Sequence, residues 1–271
     1  MDTRPHAFLE EDGAGWRDVT SAIVEGHDAD AVIRTRDSGI AAGVAEARSL
    51  FEHVGLTVET VVDDGETIAT GDDVLRVSGD ARALLEAERL ALNFLGSMSG
   101  IASATRTCVD RAGETRVAAT RKTTPGFRYF EKKAVRVGGG DPHRYDLADA
   151  VLIKENHIDI VGLETAVREA RERASFTTKI EVEAETESQA RRAAAYGADI
   201  VLLDNMTPAE VADCVDALPD AVLTEASGGI TPETVGDYAD AGVDVVSMGS
   251  LTHSANWLDV TLLTGSASSP P

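Results

Sequence analysis

The fold is decided by residues 180–204, which read IEVEAETESQARRAAAYGADIVLLD. Two short apolar runs, at residues 180–182 and 200–203, are separated by residues 188–196, which have the pattern of an amphipathic helix. Strand, helix and strand in this order predict two parallel strands joined by a crossover helix. The stretch therefore predicts an α/β domain.

The same alternation extends in both directions from this unit. Further strands are predicted at residues 117–119, 150–153, 221–223 and 243–248, and further helices at residues 163–174, 208–217 and 232–241. At least six parallel strands in series favour a barrel or an open, barrel-like sheet.

Polar residues follow the predicted strands. In chain order the strands run into Thr120-Arg121-Lys122, Lys154, Glu183, Asp204, Glu225-Ala226-Ser227 and Gly249-Ser250. In β/α barrels the carboxyl ends of the strands build the active site. One charged strand end carries little meaning, but charged residues after most of the strands predict a catalytic face.

Two glycine-containing segments follow the last two predicted strands. Residues 227–233 read SGGITPE and residues 248–253 read MGSLTH. Either alone is also typical of a tight turn, but together they favour phosphate binding, because glycines and helix starts let backbone N–H groups approach an anion. A third segment, Gly138-Gly139-Gly140, predicts a flexible loop that positions His143 and Arg144.

The first hundred residues have a different organisation. Strands are predicted at residues 31–36, 57–62, 66–69 and 73–78, with a helix at residues 40–54. A long helical pattern over residues 81–112 is expected to break near Gly96-Ser97 and Gly100. We therefore predict an α+β N-terminal domain with a helical connector (1–112), a barrel domain (113–254) and a tail (255–271). The tail is expected to pack back on the N-terminal domain through Trp257 and to fray from Gly265.

Composition and charge exclude several classes of protein. The chain has 271 residues, 43% of them hydrophobic, and 25 Lys and Arg against 47 Asp and Glu give a net charge of −22. So acidic a protein is repelled by nucleic acid and by anionic membranes. No apolar run predicts a membrane span or a secretory signal. Two cysteines, Cys108 and Cys214, argue against a disulfide framework or structural zinc and favour a reduced, cytoplasmic protein.

Two features of the charge distribution stand out. Only five basic residues are lysines, which favours adaptation to a high-salt cytosol and requires that activity be lost at low salt. Between Arg121 and Lys154, eight basic residues oppose four acidic ones. Internal salt bridges are one interpretation of this basic segment. The more specific interpretation is that the basic segment forms a pocket for a small, multiply anionic ligand.

Eight motifs follow one another along the chain. They are Glu88-Arg89-Leu90-Ala91-Leu92-Asn93 with Ser99-Gly100-Ile101-Ala102, Thr120-Arg121-Lys122-Thr123-Thr124-Pro125-Gly126, Gly138-Gly139-Gly140 with His143-Arg144, Ile153-Lys154-Glu155-Asn156-His157, Glu181-Val182-Glu183, Leu202-Leu203-Asp204-Asn205, Glu225-Ala226-Ser227-Gly228-Gly229 and Gly249-Ser250-Leu251-Thr252-His253-Ser254. In this order they resemble the quinolinate phosphoribosyltransferase family, over nearly the whole chain.

The resemblance implies a fold and an activity. The fold would be an N-terminal α/β sandwich followed by an open, TIM-like α/β barrel. The enzyme, a glycosyltransferase, would join quinolinate to 5-phosphoribosyl-1-pyrophosphate with Mg²⁺. It would release pyrophosphate and CO₂ and leave nicotinate mononucleotide for NAD synthesis. Both substrates are polyanions, which accounts for the basic segment. The family also implies a homodimer, or a hexamer built from dimers, with shared active sites.

Roles for individual residues come with the resemblance. The two quinolinate carboxylates would be held by Arg121, His143, Arg144 and Lys154, and by Arg89 of a neighbouring subunit. Lys122 and Lys154 would meet the pyrophosphoryl donor. The remaining substrate-binding residues would be Thr120, Ser227, Gly228, Gly249 and His253, the last four around phosphate.

Two carboxylates would complete the site. Glu183 and Asp204 would face the ribose and hold Mg²⁺ partly through substrate, and with Lys154 they form the expected catalytic set. We expect only one of Glu181 and Glu183 to face the barrel interior, and the resemblance selects Glu183. Glu225 is expected to support the site from behind.

Three alternatives stay open. Ala119 stands where the family more often has an acidic residue, and Ser250 where it more often has alanine. A relative acting on nicotinate or another small aromatic acid is therefore one alternative, although His143-Arg144 with Lys154 favours the diacid. A Schiff-base aldolase would need a depressed Lys154 pKa, which nearby carboxylates oppose. A phosphate-sensing module would not need Glu183 and Asp204.

Overall fold

The structure, a computed structural model, describes residues 5–10 and 18–265. The chain divides into two compact units: Met1–Arg106, Thr124–Gly139 and Ala255–Pro271 form the first, and Thr107–Thr123 and Gly140–Ser254 form the second. This corrects the predicted boundary at residue 112, because residues 124–139 belong to the first unit and residues 107–112 to the second. The end beyond Gly265, predicted to fray, lies outside the described residues.

An antiparallel sheet forms one layer of the first unit. Its strands are β1 (Asp28–Thr35), β3 (Thr57–Thr60), β5 (Asp73–Asp80) and β12 (Val260–Thr264), in the order β12-β1-β5-β3. In the register, Ala31 of β1 lies opposite Val77 on one side and Thr264 on the other. Two short strands, β2 (Gly39–Ile40) and β4 (Thr67–Ile68), pair separately. The residues after Ser254 thus complete the sheet that β1 begins.

Helices and aromatic side chains supply the core of the first unit. Two short 3-10 helices, Pro5–Glu10 and Ser21–Val24, precede the sheet. Helix α1 (Val44–His53) begins after Gly43, later than predicted, and the long helix α2 (Ala81–Ala112) follows β5. Four phenylalanine rings cluster with centroids 4.8–6.2 Å apart, a favourable range for aromatic pairs; they are Phe8, Phe94, Phe127 and Phe130.

Helix α3 (Arg128–Val137) is an addition to the predicted elements. It carries four residues of the basic segment, which obscure its apolar face, yet it buries Phe130, Ala134 and Val135. Its Lys133 Nζ donates to both carboxylate oxygens of Glu46 at 2.8 Å and to Asp64 at 3.0 Å. Half of the basic segment therefore lies in the first unit, and Lys133 is used there in internal ion pairs.

Helix α2 is continuous, which corrects the predicted break at its glycines. The reason for the glycines is the C-terminal tail. A Cβ on Gly100 would overlap the carbonyl oxygen of Asn256, and one on Gly96 would lie 3.0 Å from the carbonyl oxygen of Leu258. Leu258 N–H also donates to Gly96 O at 2.9 Å. The tail is thus held by backbone contact and by buried Leu258, while Trp257 is 59% exposed.

The second unit is built on a six-stranded parallel sheet. The strands are β6 (Arg116–Ala118), β7 (Val151–Ile153), β8 (Ile180–Ala184), β9 (Ile200–Asp204), β10 (Leu223–Ser227) and β11 (Val245–Ser247). Their order is β6-β11-β10-β9-β8-β7, so β6 and β7 are the edges of an open sheet. Strand β10 begins where the sequence predicts its end, because the polar Glu225 and Ser227 hide its apolar pattern.

Crossover helices join these strands. They are α4 (Glu155–Val161), α5 (Leu163–Arg173), α6 (Glu187–Ala195), α7 (Pro208–Ala217) and α8 (Val235–Asp240), and the short α9 (Ser250–His253) follows the last of these strands along the chain. Thr207 and Glu210 form a reciprocal capping box before Pro208, which explains the sharp start of α7. Cys108 and Cys214 are free and buried. In the described part of the chain no helix is long and apolar enough to cross a membrane.

Candidate active site

The parallel sheet brings the predicted polar strand ends to one edge of the second unit. Lys154 directly follows β7, Glu183 is the penultimate residue of β8, and Asp204 and Ser227 end β9 and β10. Because every pair in this sheet is parallel, these carboxyl ends share one edge. The register pairs Glu183 with Leu202, and Leu202 lies two residues before Asp204, so both carboxylates lie on one face.

Lys154 and Glu183 form an ion pair at this edge. Lys154 Nζ donates to Glu183 Oε2, with the lysine side chain 51% exposed and the glutamate 11% exposed. The N–H of Lys154 also donates to His157 Nδ1 at 3.0 Å, so His157 caps α4. The geometry leaves the ammonium group of Lys154 at the solvent side, where a ligand can reach it.

Asp204 lies beside this ion pair. Burial raises its pKa, and the negative charge of Glu183 raises it further, against the opposing effects of Lys154 and Lys122. Asn205 Nδ2 donates to Asp204 Oδ2 at 2.7 Å. Two carboxylates that disfavour each other's charge and present oxygen ligands form a donor set that suits Mg²⁺.

The glycine segments close around the same edge. A Cβ on Gly249 would lie 2.8 Å from Lys122 Cδ and 3.4 Å from His253 Cδ2. Gly228 has a φ of 96° and leaves no room for a Cβ beside Asn205. Both glycines are therefore required by close packing, Gly249 next to Lys122 and Gly228 next to Asn205. Thr120 Oγ1 accepts the N–H of Lys122 at 3.1 Å.

Two arginines of the second unit have buried N–H donors that are not used in hydrogen bonds. Among the described residues, the buried Nε atoms of Arg121 and Arg144 have no hydrogen-bond partner. Arg144 Nη1 donates to Ala150 O at 3.3 Å, and burial lowers its pKa while the charge of Glu181 opposes that change. Two half-buried guanidinium groups with free donors are suited to a ligand carrying carboxylates.

Glu181 and Glu225 form a buried cluster with His143. Glu225 was expected to support the site, whereas Glu181 is missing from the predicted site residues. His143 Nε2 lies 3.4 Å from Glu225 Oε2 and 3.9 Å from Glu181 Oε2, and both glutamates are almost fully buried. The expectation that only one of Glu181 and Glu183 faces the interior is wrong, because residues two apart on a strand share a face. That spacing was the signal that could have found Glu181.

The two buried glutamates alter the titration of their neighbours. Burial and the charge of Glu225 raise the pKa of Glu181 to about 7. Burial alone would lower the pKa of His143, but the hydrogen bond and charge of Glu225 and the charge of Glu181 outweigh it, so the pKa is raised. One proton shared among these groups relieves the repulsion between the carboxylates.

Two other predicted residues or segments lie in the first unit. Arg89 is exposed on α2, and no hydrogen bond or ion pair joins it to another described residue. Gly138, predicted to belong to a flexible loop, is buried after α3, where a Cβ would overlap the carbonyl oxygen of Ala102. Its role is close packing against α2, which corrects that prediction.

Two family models and several known proteins match the amino-acid sequence of this chain. The family model for the quinolinate phosphoribosyl transferase N-terminal domain matches residues 18–99, and the C-terminal domain model matches residues 101–263. The chain belongs to the quinolinate phosphoribosyltransferase family. A relative in this family, a probable nicotinate-nucleotide pyrophosphorylase [carboxylating] from Methanothermobacter thermautotrophicus, is 46% identical over 92% of this chain and 93% of its own length. The human nicotinate-nucleotide pyrophosphorylase [carboxylating] is 41% identical over 94% of this chain and 89% of its own.

Solved structures of family members have the same fold. The crystal structure of NadC from Streptococcus pyogenes has a TM-score of 0.89 at 39% identity, covering 96% of this chain and 95% of that one. Nicotinate-nucleotide pyrophosphorylase from Ehrlichia chaffeensis has a TM-score of 0.92 at 31% identity, covering 96% and 97%. The predicted fold class, an N-terminal sheet domain with a C-terminal α/β barrel, is confirmed.

Proposed function

We propose that this chain transfers the phosphoribosyl group of 5-phosphoribosyl-1-pyrophosphate to quinolinate, with loss of CO₂, and forms nicotinate mononucleotide for NAD synthesis. The observation that carries the proposal is the edge of the parallel sheet in the second unit. There, in a chain of net charge −22, Lys122 and Lys154 lie near Asp204, and Arg144 lies near Arg121 and near the buried Glu181. Membership of the family supplies the reaction.

The acceptor is held by the cations. Arg121 and Arg144 have unsatisfied buried donors, and each can form paired hydrogen bonds with a carboxylate. Lys154 adds a mobile positive charge after β7. Two carboxylates fixed on one aromatic ring orient its nitrogen, so the reaction gains rate from positioning rather than from activation of a nucleophile.

The donor lies on the glycine segments. Gly249 places backbone close to Lys122, and His253 lies beside Gly249, while Ser227 and Gly228 follow the neighbouring strand β10. Lys122 and Lys154 would neutralise the pyrophosphate as it leaves. Gly249 is packed against Lys122 Cδ, so a side chain there would displace the lysine.

Mg²⁺ fits the carboxylate pair. Glu183 and Asp204 would hold it, partly through the substrate's hydroxyl and phosphate oxygens, and the metal would neutralise charge on the leaving group. Burial and mutual repulsion already raise the pKa of Asp204, so a cation there relieves an unfavourable charge. The same two carboxylates face the positive character that develops on the ribose as pyrophosphate departs.

The bonds change in two stages. The ring nitrogen of quinolinate forms a bond to ribose C1 as the bond from C1 to pyrophosphate breaks. The carboxylate next to that nitrogen then leaves as CO₂, and its electron pair stays on the ring carbon, which takes up a proton. No protein nucleophile is needed, and the positive charges of Arg121, Arg144 and Lys154 stabilise the charge that passes onto the ring.

We also propose the setting in which this reaction occurs. The protein would be a cytoplasmic homodimer, or a hexamer built from dimers, in which Arg89 of one subunit completes the site of another. Support comes from exposed Arg89, which has no partner among the described residues. The acidic, lysine-poor composition supports a high-salt cytosol as its environment.

The experiment is a product assay in high KCl with phosphoribosyl pyrophosphate, Mg²⁺ and either quinolinate or nicotinate. Nicotinate mononucleotide and CO₂ from quinolinate alone is the expected result. Turnover of nicotinate would overturn the acceptor assignment. Binding of phosphate compounds without turnover of either acid would overturn the enzymatic function.

Matched lysine variants make the assay specific. Lys154→Met should abolish most of the turnover, since it removes a cation from the carboxyl edge of the sheet. Lys179→Met removes the same charge from an exposed lysine that precedes β8, at the opposite edge, and should behave as the unaltered protein. Equal effects of the two variants would contradict the placement of the site.

A further inference from the structure

His143 lies in a strained turn. Its φ of 53° is left-handed, which costs a non-glycine residue on the order of 1–2 kcal/mol. Its backbone N–H donates to Asp141 Oδ1 at 2.7 Å. Strained conformations persist where surrounding contacts determine them, so the contacts of this side chain decide where the next residue, Arg144, is placed.

The imidazole ring of His143 is held at both nitrogens. The N–H of Arg144 donates to Nδ1 at 2.8 Å. A backbone N–H can only donate, so Nδ1 carries no proton in this arrangement and the ring proton is on Nε2. Of the two carboxylates near Nε2, Glu225 at 3.4 Å is within hydrogen-bond distance and Glu181 at 3.9 Å is not.

Arg144 has few other contacts to fix its direction. Its Nη1 donates to Ala150 O at 3.3 Å, and its buried Nε has no partner among the described residues. The direction of the guanidinium group therefore depends on the position of its backbone. That backbone is tied to the His143 ring, and the ring is tied to Glu225.

We propose that Glu225 is a positioning residue for Arg144 and that it acts through His143. The buried carboxylate accepts the Nε2 proton, which fixes the ring so that Nδ1 accepts the Arg144 N–H. His143 then fixes the backbone from which the Arg144 side chain extends. The effect on quinolinate rests on the proposed function, whereas the chain of hydrogen bonds is independent of it.

A metal ion is the competing interpretation of the same cluster. His143, Glu181 and Glu225 present ligand atoms within 4.8 Å of one another. An imidazole that binds a metal through one nitrogen usually donates the N–H of the other, however, and here Nδ1 accepts. Arg144 also adds positive charge beside the glutamates. The geometry favours the hydrogen-bond chain.

The first test is spectroscopic and needs no substrate. Long-range proton–nitrogen spectra of the ¹⁵N-labelled full chain, near pH 8, report which nitrogen of each imidazole carries the proton, and His143→Asn assigns the His143 signals. We expect the Nε2–H form in the unaltered protein and in Glu225→Gln, whose amide oxygen still accepts. Glu225→Met keeps the size of the side chain but removes the acceptor, so the fixed tautomer should be lost. Glu181→Gln should leave it unchanged.

The second test separates the two substrates. Glu225→Met should raise the KM for quinolinate on the order of 10-fold or more, because Arg144 is displaced, with little change in the KM for phosphoribosyl pyrophosphate. Glu225→Gln should restore the KM. In combination with His143→Asn, Glu225→Met should have no added effect, since both residues act in one chain.

Definite results would overturn the proposal. A His143 proton on Nδ1 in the unaltered protein would do so, and this needs no variant to fold. Equal damage from Glu225→Gln and Glu225→Met would show that Glu225 acts by its charge alone. Additive effects in the double variant would show that Glu225 does not act through His143. Failure of the unaltered protein to use quinolinate would instead overturn the proposed function, and the spectra would still decide the hydrogen-bond chain.

Discussion

Substitution of Asp204 is expected to affect catalysis (kcat) much more than binding of quinolinate (KM). It ends β9 beside Glu183, and Asp204→Asn keeps its size but removes the charge that faces the ribose and the metal. We expect kcat to fall on the order of 100-fold or more, with a small change in the KM for quinolinate, because the lost charge is used mainly in the transition state. Steady-state kinetics at saturating Mg²⁺ measure this.

The control is Asp220→Asn, which removes one charge at an exposed residue before β10. It should leave kcat unchanged. A selective rise in the quinolinate KM of Asp204→Asn would contradict the assignment and place Asp204 in the acceptor site.

The raised pKa of Glu181 predicts how the free energy of unfolding depends on pH. Its pKa of about 7 lies above the ordinary 4.5, so the folded protein binds more protons than the unfolded chain between those pH values. The free energy of unfolding should therefore fall as pH rises through this window, by about 1–3 kcal/mol from this residue. Glu181→Gln should flatten the fall, as measured by urea unfolding. Exposed Glu185→Gln is the control, and an unchanged slope in Glu181→Gln would contradict the burial argument.

The positions of charged residues at the strand ends could be predicted from the sequence, whereas contacts made by packing could not, and the roles of these residues stay predictions. The charges after the strands identified Lys154, Glu183 and Asp204 because cations and carboxylates at strand ends are conspicuous. Glu181 was passed over, and Glu225 was expected only to support the site, because their partner, His143, comes from a loop whose path the sequence does not specify. Long-range contacts of this kind depend on tertiary structure.

At the scale of elements, the glycines of α2 provide the clearest prediction. A methyl group on Gly100 would overlap Asn256, so Gly100→Ala should lower the free energy of unfolding by about 2 kcal/mol or more, despite the better helix propensity of alanine. Thermal and urea unfolding measure the loss.

The matched control is Gly236→Ala in α8. A Cβ there lies 3.4 Å from its nearest neighbour, so alanine should be neutral or stabilise by up to about 1 kcal/mol. If both variants were neutral, the tail would not lie on α2 as described.

Helices and strands with a regular pattern of apolar and polar residues could be predicted from the sequence. Those in which basic or polar residues interrupt the apolar pattern could not. Helices α5, α6 and α7 have clear amphipathic periods, and Thr186 and Thr207 cap the beginnings of α6 and α7. Helix α3 is masked by its basic residues, and β12 lies in a segment read only as a tail, although it pairs with β1. A strand at a sheet edge is defined by its partner, which is distant in sequence.

At the scale of the whole molecule, the proposed shared site can be tested by mixing two inactive proteins. Arg89→Ala and Lys154→Met should each be inactive as homodimers. After unfolding and refolding together, half of the dimers are mixed and each carries one intact site, so about a quarter of the activity should return. Mixing each variant with itself is the control, and no recovery would contradict the sharing of sites.

The net charge predicts a salt dependence of stability. With −22 charges, self-repulsion should destabilise the fold at low ionic strength, and KCl should raise the Tm by screening it. Near pH 4.5, where the net charge vanishes, the same KCl series should have a much smaller effect. An equal rise at both pH values would show that charge repulsion is not the cause.

The pairing of β12 with β1 has a consequence for synthesis on the ribosome. The first unit contains the beginning of the chain, residues 124–139 and the end of the chain, and all of the second unit is translated before β12 emerges. Until β12 emerges, the edge of β1 that pairs with it stays uncovered in the nascent first unit, and an uncovered strand edge is prone to pairing with other chains. Emergence of β12, rather than translation of the first hundred residues, is therefore the event that completes this unit.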